Sequence, residues 1–329
     1  MSDSFWGQIQ ANEILSRALK KGTVSHAYLF LGPTGVGKKK AAYAFATRLN
    51  CKEIQDDGSS CSHCASCKKM AAGGHPDFIT IEAEGASIKI DQIRKLKKTL
   101  SYPPFESGYR LVFIPDIHVT LQRREVVNSL LKTLEEPPPS TVFILTTDEG
   151  SDLLPTIVSR CQVVPFHHLS QNNVKEYLVS QGVDKTLAQK AAAASGGSLG
   201  LAEQLCSSHH LELVEELVRN ISLLKPAESE AVEIIFRTAE KMAKLKDELG
   251  SFLELLKLWY VDCLKAHVLS LNGLFIWPDL QQNTFSAKQR WNLSELSDKV
   301  ALINQAQKQI KANCNKSFVC EILFWNLIQ

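Results

Sequence analysis

The stretch "HAYLFLGPTGVGKKKAAYAFATRLN", His26 to Asn50, decides the fold. It begins as a short continuous apolar run that ends in glycine, the pattern of a strand covered on both faces of a sheet. It ends with apolar residues at helical spacing, and Gly32, Gly35 and Gly37 lie between. A glycine-rich turn between a strand and a helix directs backbone N–H groups, and the positive end of the helix, at a phosphate. The spacing is G-x-x-x-x-G-K: Gly32, Pro33, Thr34, Gly35, Val36, Gly37, Lys38. In such a loop the lysine reaches the terminal phosphates, and a following Ser or Thr holds magnesium through its hydroxyl. Here the following residue is Lys39, whose ammonium has no lone pair and repels a metal ion. The loop therefore points to nucleotide-binding ancestry more strongly than to ATP hydrolysis.

Outward from this stretch, "DFITI" (77–81), "RLVFI" (110–114), "TVFILTT" (141–147) and "QVVPF" (162–166) read as further strands. Helices are expected at 91–100, with Asp91 as N-cap, and at 123–134. Strands separated by helices of this length imply a mostly parallel sheet with helices on both faces. Ligands of such sheets sit at the carboxyl ends of the strands, where the glycine-rich loop lies. From Ser170 the strand signal stops, and "SQNNVKEYLVSQG", "DKTLAQKAAAAS" and "GSLGLAEQLC" read as short helices. Residues 209–329 look helical almost throughout, with 272–285 expected to be a loop crossing the bundle. The expected organisation is an α/β domain over 1–168, a small helical domain over 169–208, and an all-α domain over 209–329.

Bulk composition narrows the class only modestly. At 329 residues the chain can hold two or three domains, and a net charge of +2 gives no reason to expect nucleic-acid binding by the whole chain. The basic cluster at 94–98 reads as a solvated helix face. No signal-peptide pattern opens the sequence and no apolar run is long enough to span a bilayer, so a cytoplasmic location without membrane contact is expected.

A second segment bears on the same metal ion. P-loop enzymes hold magnesium also through an acidic residue at the end of a neighbouring strand. After "RLVFI" that place falls on Pro115, with Asp116 one residue further. The magnesium site is expected to be lost, unless a shift of register lets Asp116 serve. Whether nucleotide still binds is left open by the sequence.

Of nine cysteines, four cluster at Cys51, Cys61, Cys64 and Cys67. Overlapping C-x-x-C pairs can bring four thiolates about 2.3 Å from one tetrahedral zinc ion. His63 and His75 are possible substitutes, but four cysteines complete a closed structural site, so one structural zinc is expected.

Taken together, "HAYLFLGPTGVGK", the cysteine cluster, "GHPDF" (74–78), "NSLLKTLEEPPPSTVFIL" (128–145) and "SRC" (159–161) closely resemble the delta-prime family of bacterial DNA polymerase III clamp-loader subunits, within the AAA+ ATPases. The resemblance implies an AAA+ module with a zinc-binding insertion at about 51–67, a three-helix lid and a helical collar. It implies assembly with gamma/tau-like ATPase subunits and a delta-like subunit in a hetero-pentamer that loads the sliding clamp on primed DNA. By the same resemblance Arg160 is an arginine finger, reaching the γ-phosphate held by a neighbouring subunit. Thr146 or Thr147 falls in the sensor region, though an exposed strand end would explain either. Gly200 stands where active relatives carry a lid arginine, a third departure beside Lys39 and Pro115. The combination suggests a stator that serves its neighbours and does not hydrolyse ATP.

Other readings stay open on the residues alone. An active AAA+ ATPase with Asp116 on magnesium is one, a P-loop small-molecule kinase another, and a zinc-dependent DNA-binding module a third. Arg160 could simply cap the carbonyls of a short helix, and Glu135 and Glu136 receive no role.

Overall fold

The computed structural model describes residues 5–85, 87–148, 155–224, 229–268, 275–312 and 314–329. Its described chain divides into two compact units: Met1–Tyr177 with Gly197–Gly200, and Leu178–Gly196 with Leu201–Gln329.

The first unit contains helix α1 (Ile9–Lys21), strand β1 (Ala27–Leu31), helices α2 (Lys38–Leu49) and α3 (Ala65–Ala71), and strand β2 (Phe78–Thr80). It continues with α4 (Ile90–Leu100), β3 (Arg110–Ile114), α5 (Ile117–Thr120), α6 (Arg124–Glu135), β4 (Thr141–Thr147), α7 (Pro155–Val158) and β5 (Gln162–Pro165). The strands form one parallel sheet in the order β2-β3-β4-β1-β5.

Alternation along each strand sends successive side chains to opposite faces. Tyr28, Phe30, Phe113, Ile144 and Val164 pack on one side with Ala11 and Leu15 of α1 and Ala42 and Phe45 of α2. Ala27, Leu29, Val112, Phe143 and Leu145 pack on the other with Ile93 and Leu96 of α4 and Val126 and Leu130 of α6. Two cores on one sheet explain why these strands are apolar at consecutive positions.

Local differences from the expected elements have local causes. Helix α4 starts at Ile90, with Lys89 at the cap position and its N–H donating to Gln92 Oε1 (2.9 Å). Asp91 lies inside the first turn and accepts from Arg94 (3.0 Å), so it is not the N-cap. Helix α6 runs one residue later than expected, and β2 is shorter. Helix α1, absent from the expected elements, buries Ala11, Leu15 and Ala18.

One buried charge pair anchors the lower end of β2. Asp77 is fully buried and accepts N–H bonds from Phe105 (2.6 Å), Glu106 (2.9 Å) and Ser107 (3.0 Å). Arg110, which opens β3, lies 3.6 Å from it and donates to the carbonyls of Thr99, Tyr102 and Pro103. His75 bonds Ser66 of α3 and Ser107, each at 3.1 Å, tying that helix to the same loop.

Helices α8 (Gln171–Ser180) and α10 (Leu199–Ser207) are each divided between the two units; in the second, α9 (Lys185–Ala194) begins at Asp184, whose carboxylate caps it. Then follow α11 (His210–Leu223), α12 (Ser229–Ala243), α13 (Leu249–Val268), α14 (Gln281–Arg290), α15 (Leu293–Lys311) and α16 (Lys316–Ile328). Helix α13 is the apolar axis, burying Phe252, Leu256, Trp259 and Tyr260, with α11, α14 and α15 against it. The expected loop over 272–285 is corrected in its described part: Pro278–Leu280 is a turn of 3₁₀ helix and α14 follows directly. Its weak periodicity is offset by a tertiary bond, Trp259 Nε1 to Thr284 Oγ1 (3.1 Å). Residues 272–274 of that segment lie outside the described residues.

Burial would raise the Asp77 pKa, but its three backbone N–H bonds and Arg110 outweigh this and hold it below the usual carboxylate range. A lowered folded-state pKa gives stability that is complete above about pH 3.9, the ordinary aspartate value, and lost as pH falls through the folded value. Asp77→Ala is expected to cost about 3–5 kcal/mol, because it leaves a buried guanidinium without its carboxylate. Thermal melts should also show that Asp77→Asn loses less stability than the wild type between neutral and strongly acidic pH.

Candidate functional site

The strand ends set out the site. Leu31 pairs with Thr147 and with Pro165, and Ile114 pairs with Leu145. This register brings Gly32, Pro115, Asp148 and Phe166 together at one edge of the sheet, each directly after its strand. The loop expected from sequence lies there and opens α2 with Gly37 as its N-cap.

Gly32 has φ +155°, and a Cβ on it would lie 2.1 Å from the carbonyl oxygen of Phe166. Gly35 (φ +78°) would meet Ser198 Oγ at 2.1 Å, and its carbonyl accepts from Gly200 N–H (2.9 Å). The position expected to lack a lid arginine is thus a backbone contact: a Cβ on Gly200 would stand 3.4 Å from Gly35 Cα. Gln8 also braces the loop. Its amide donates to the carbonyls of Val36 (3.2 Å) and His167 (2.8 Å) and accepts from His167 N–H (3.1 Å).

Lys38 is 93% covered, its side chain only 7% exposed. Its Nζ donates to the carbonyls of Gly32 and Pro33 and to Asp148 Oδ1 (2.8 Å). Thr34 Oγ1 donates to Asp148 Oδ2 (2.5 Å), and His118 Nε2 lies 3.6 Å from the same oxygen. Burial opposes the charge of Asp148, but these bonds win and its pKa is lowered. Lys39, by contrast, is exposed and pairs with Glu82 at 3.2 Å.

Asp116 adopts φ +48°, and its carboxylate accepts from Thr146 Oγ1 (3.3 Å) while its N–H donates to that oxygen (2.9 Å). Thr146 and Thr147 are both buried, which removes the exposed-strand-end explanation for them.

Arg160 follows α7. Its guanidinium donates to Glu135 Oε1 (2.6 Å), to the carbonyl of Thr156 (3.0 Å) and to Ser159 Oγ (3.2 Å), with the side chain 34% exposed. Carbonyl capping is therefore real, but it uses one edge of the guanidinium. Glu135, left without a role by the sequence, is its carboxylate partner.

Cys51, Cys61, Cys64 and Cys67 come together with all ligand atoms within 4.8 Å of one another. Their Sγ atoms stand 3.6 Å (Cys51 to Cys67) and 3.9 Å (Cys61 to Cys67) apart. A tetrahedron of sulfurs about 2.3 Å from a metal has edges of about 3.8 Å, so the spacing suits such an ion. Backbone N–H groups of Cys61, Cys64 and Cys67 point at the sulfurs of Cys51, Cys61 and Cys64. Burial would raise Cys64, but N–H bonds from Lys52 and Cys67 lower it to about 6. Burial and its thiol neighbours push Cys67 up to about 12. Donors arranged to stabilise negative sulfur fit a cation, and the group could hold a metal ion. The possible substitutes His63 and His75 are not in this group of four: His63 pairs with Glu53 (3.4 Å), and those two form a second, mostly exposed group that shares Cys61.

Sequence reasoning singled out the loop, the cysteines and Arg160, but named neither Gln8 nor Asp148 and gave Arg160 no partner. The one available signal for Asp148 was its place immediately after a central strand.

A parallel sheet with a P-loop on β1 and helices on both faces defines an α/β P-loop module of the AAA+ type. Residues 7–170 match the family described as DNA polymerase III, delta subunit. The chain is 29% identical over 321 residues to DNA polymerase III subunit delta′ of Bacillus subtilis, covering 96% of this chain and 94% of that protein. It is 35% identical over 211 residues to the tau subunit of the same organism, covering 61% of this chain and 37% of tau. A solved gamma-subunit-related protein of Thermotoga maritima shares the fold, with TM-score 0.51 at 19% identity, covering 96% of this chain and 97% of that one. The chain belongs to the DNA polymerase III clamp-loader family of AAA+ proteins and is delta-prime-like within it. Among the described residues no helix is long and apolar enough to cross a membrane.

The glycines make a graded test of the loop. Gly32→Ala meets a backbone oxygen, whereas Gly37→Ala (φ +100°) meets only Leu199 Cδ1 at 3.7 Å. Thermal melts should show Gly37→Ala costing about 1–2 kcal/mol from backbone strain alone, and Gly32→Ala costing more.

Proposed function

We propose that the chain is a non-hydrolysing, stator-like subunit of a bacterial clamp loader, acting beside gamma/tau-like ATPases and a delta-like subunit in a hetero-pentamer. The observation that carries this reading is Lys39, an exposed ammonium in the place of the magnesium-binding hydroxyl and paired with Glu82. Pro115 in place of the first acidic residue supports it, as does Gly200 at the position where the resemblance leads one to expect a lid arginine. In this reading residues 1–168 are the AAA+ module, 169–208 the lid and 209–329 the collar through which subunits assemble around primed DNA and the sliding clamp.

Arg160 is the residue the chain offers to others. A guanidinium supplied across an interface offsets charge developing on a transferring phosphoryl group, an effect worth about 10³–10⁵ in rate. Partial exposure and an anchored edge suit it for that purpose. The ion in the cysteine cluster is zinc, holding residues 51–67 in shape as a closed four-thiolate site.

The 35% identity to tau favours one second reading, an active ATPase with Asp116 on magnesium. Turnover of Mg-ATP by the purified chain separates the two. The stator reading expects no difference between wild type and Lys38→Ala, and activity lost in Lys38→Ala would establish the ATPase.

In the assembled complex, Arg160→Ala is expected to slow single-turnover phosphate release at the facing ATPase site by about 10³-fold or more. Unchanged release would remove the finger. Elemental analysis should give one zinc per chain, and chelation should raise hydrogen exchange over 51–71 while the sheet stays protected. A chain with intact exchange protection and no metal would refute the zinc assignment.

A further inference from the structure

The anion that Lys38 faces is supplied by the chain itself. A buried ammonium needs compensation, because leaving it unpaired in a dry site costs several kcal/mol. In a working P-loop that compensation comes from nucleotide phosphate. Here Asp148 Oδ1 accepts from Lys38 (2.8 Å), and Oδ2 accepts from Thr34 Oγ1 (2.5 Å). Both carboxylate oxygens are therefore engaged by residues of the loop, as two oxygens of a phosphate would be.

The carboxylate is also delivered rigidly. Asp148 comes directly after Thr147, whose carbonyl accepts from Gly32 N–H (3.3 Å) and which pairs with Leu31 in the sheet. Across the loop, Gly200 N–H bonds the carbonyl of Gly35 (2.9 Å). The turn is thus held by this chain's own groups at both ends.

We propose that Asp148 is an internal surrogate for a nucleotide phosphate, filling the P-loop and competing directly with phosphate-bearing ligands. This goes beyond the missing magnesium ligands. Loss of a metal site blocks hydrolysis yet permits metal-free binding, whereas an internal carboxylate opposes polyphosphate whether or not magnesium is present. It also gives Thr34 and Lys38 a present use, that of tying β4 to the loop before α2. The inference concerns the isolated chain and does not depend on the role of Arg160 or on assembly.

The test is isothermal titration of the full chain with inorganic pyrophosphate and with ADP, both without magnesium. Asp148→Asn keeps the volume and removes the competing charge. It is expected to bind about 10–100-fold more tightly than wild type, the equivalent of one charged hydrogen bond released. The double variant Asp148→Asn, Lys38→Ala should lose that gain, which places the ligand on the loop. Asp148→Ser is the second variant should the first fold poorly, with thermal melts checking both. Equal affinity of wild type and a folded Asp148 variant would overturn the proposal. So would tight pyrophosphate binding by the wild type itself that disappears in Lys38→Ala.

Discussion

An all-parallel sheet has to be covered on both faces, and that constraint organises the first unit. Because β1 lies between β4 and β5, its side chains are shared between two cores: Tyr28 and Phe30 in one, Ala27 and Leu29 in the other. Neither core tolerates a polar residue along the strand, so polar chemistry is displaced to the strand ends. Parallel direction then puts those ends side by side. Gly32, Pro115, Asp148 and Phe166 are neighbours for this reason, although they are far apart in sequence.

The same constraint explains which parts were legible beforehand. Strands β3 and β4 appear at the expected bounds because central strands read as unbroken apolar runs. The edge strand β2 is only half-buried and its pattern fades sooner. The cysteines were readable because all four are close in sequence and metal-ligand spacing is a local property. Helix α14 was not, since its sequence is polar and its place depends on Trp259 reaching Thr284 from another helix. Asp148 and Lys38 are 110 residues apart, joined by strand register that no local pattern announces. Glu135 and Arg160 likewise meet only because α6 and α7 cover one face of the sheet.

Two buried cations in this unit, Arg110 and Lys38, are held in the same way. Arg110 is surrounded by three carbonyls and the carboxylate of Asp77, and Lys38 by two carbonyls and the carboxylate of Asp148. In both cases removing the acid would strand a desolvated charge, which makes the pair rigid. The donors around Asp77 and Asp148, with the cation paired to each, outweigh desolvation and hold both carboxyls below their usual range.

Arg160 is different in degree, and that difference bears on function. Its pair with Glu135 is open to solvent, with side chains 34% and 47% exposed. Exposed ion pairs contribute only about 0–1 kcal/mol, so a phosphate from outside can replace Glu135 at small cost. Lys38 cannot be redirected so easily, since its own side chain is only 7% exposed and its carboxylate partner follows directly after β4. Of Lys38 and Arg160, one is committed inside the fold and the other is lightly held at its edge. That asymmetry is what a subunit needs if it acts on nucleotide bound by a neighbour while keeping none of its own.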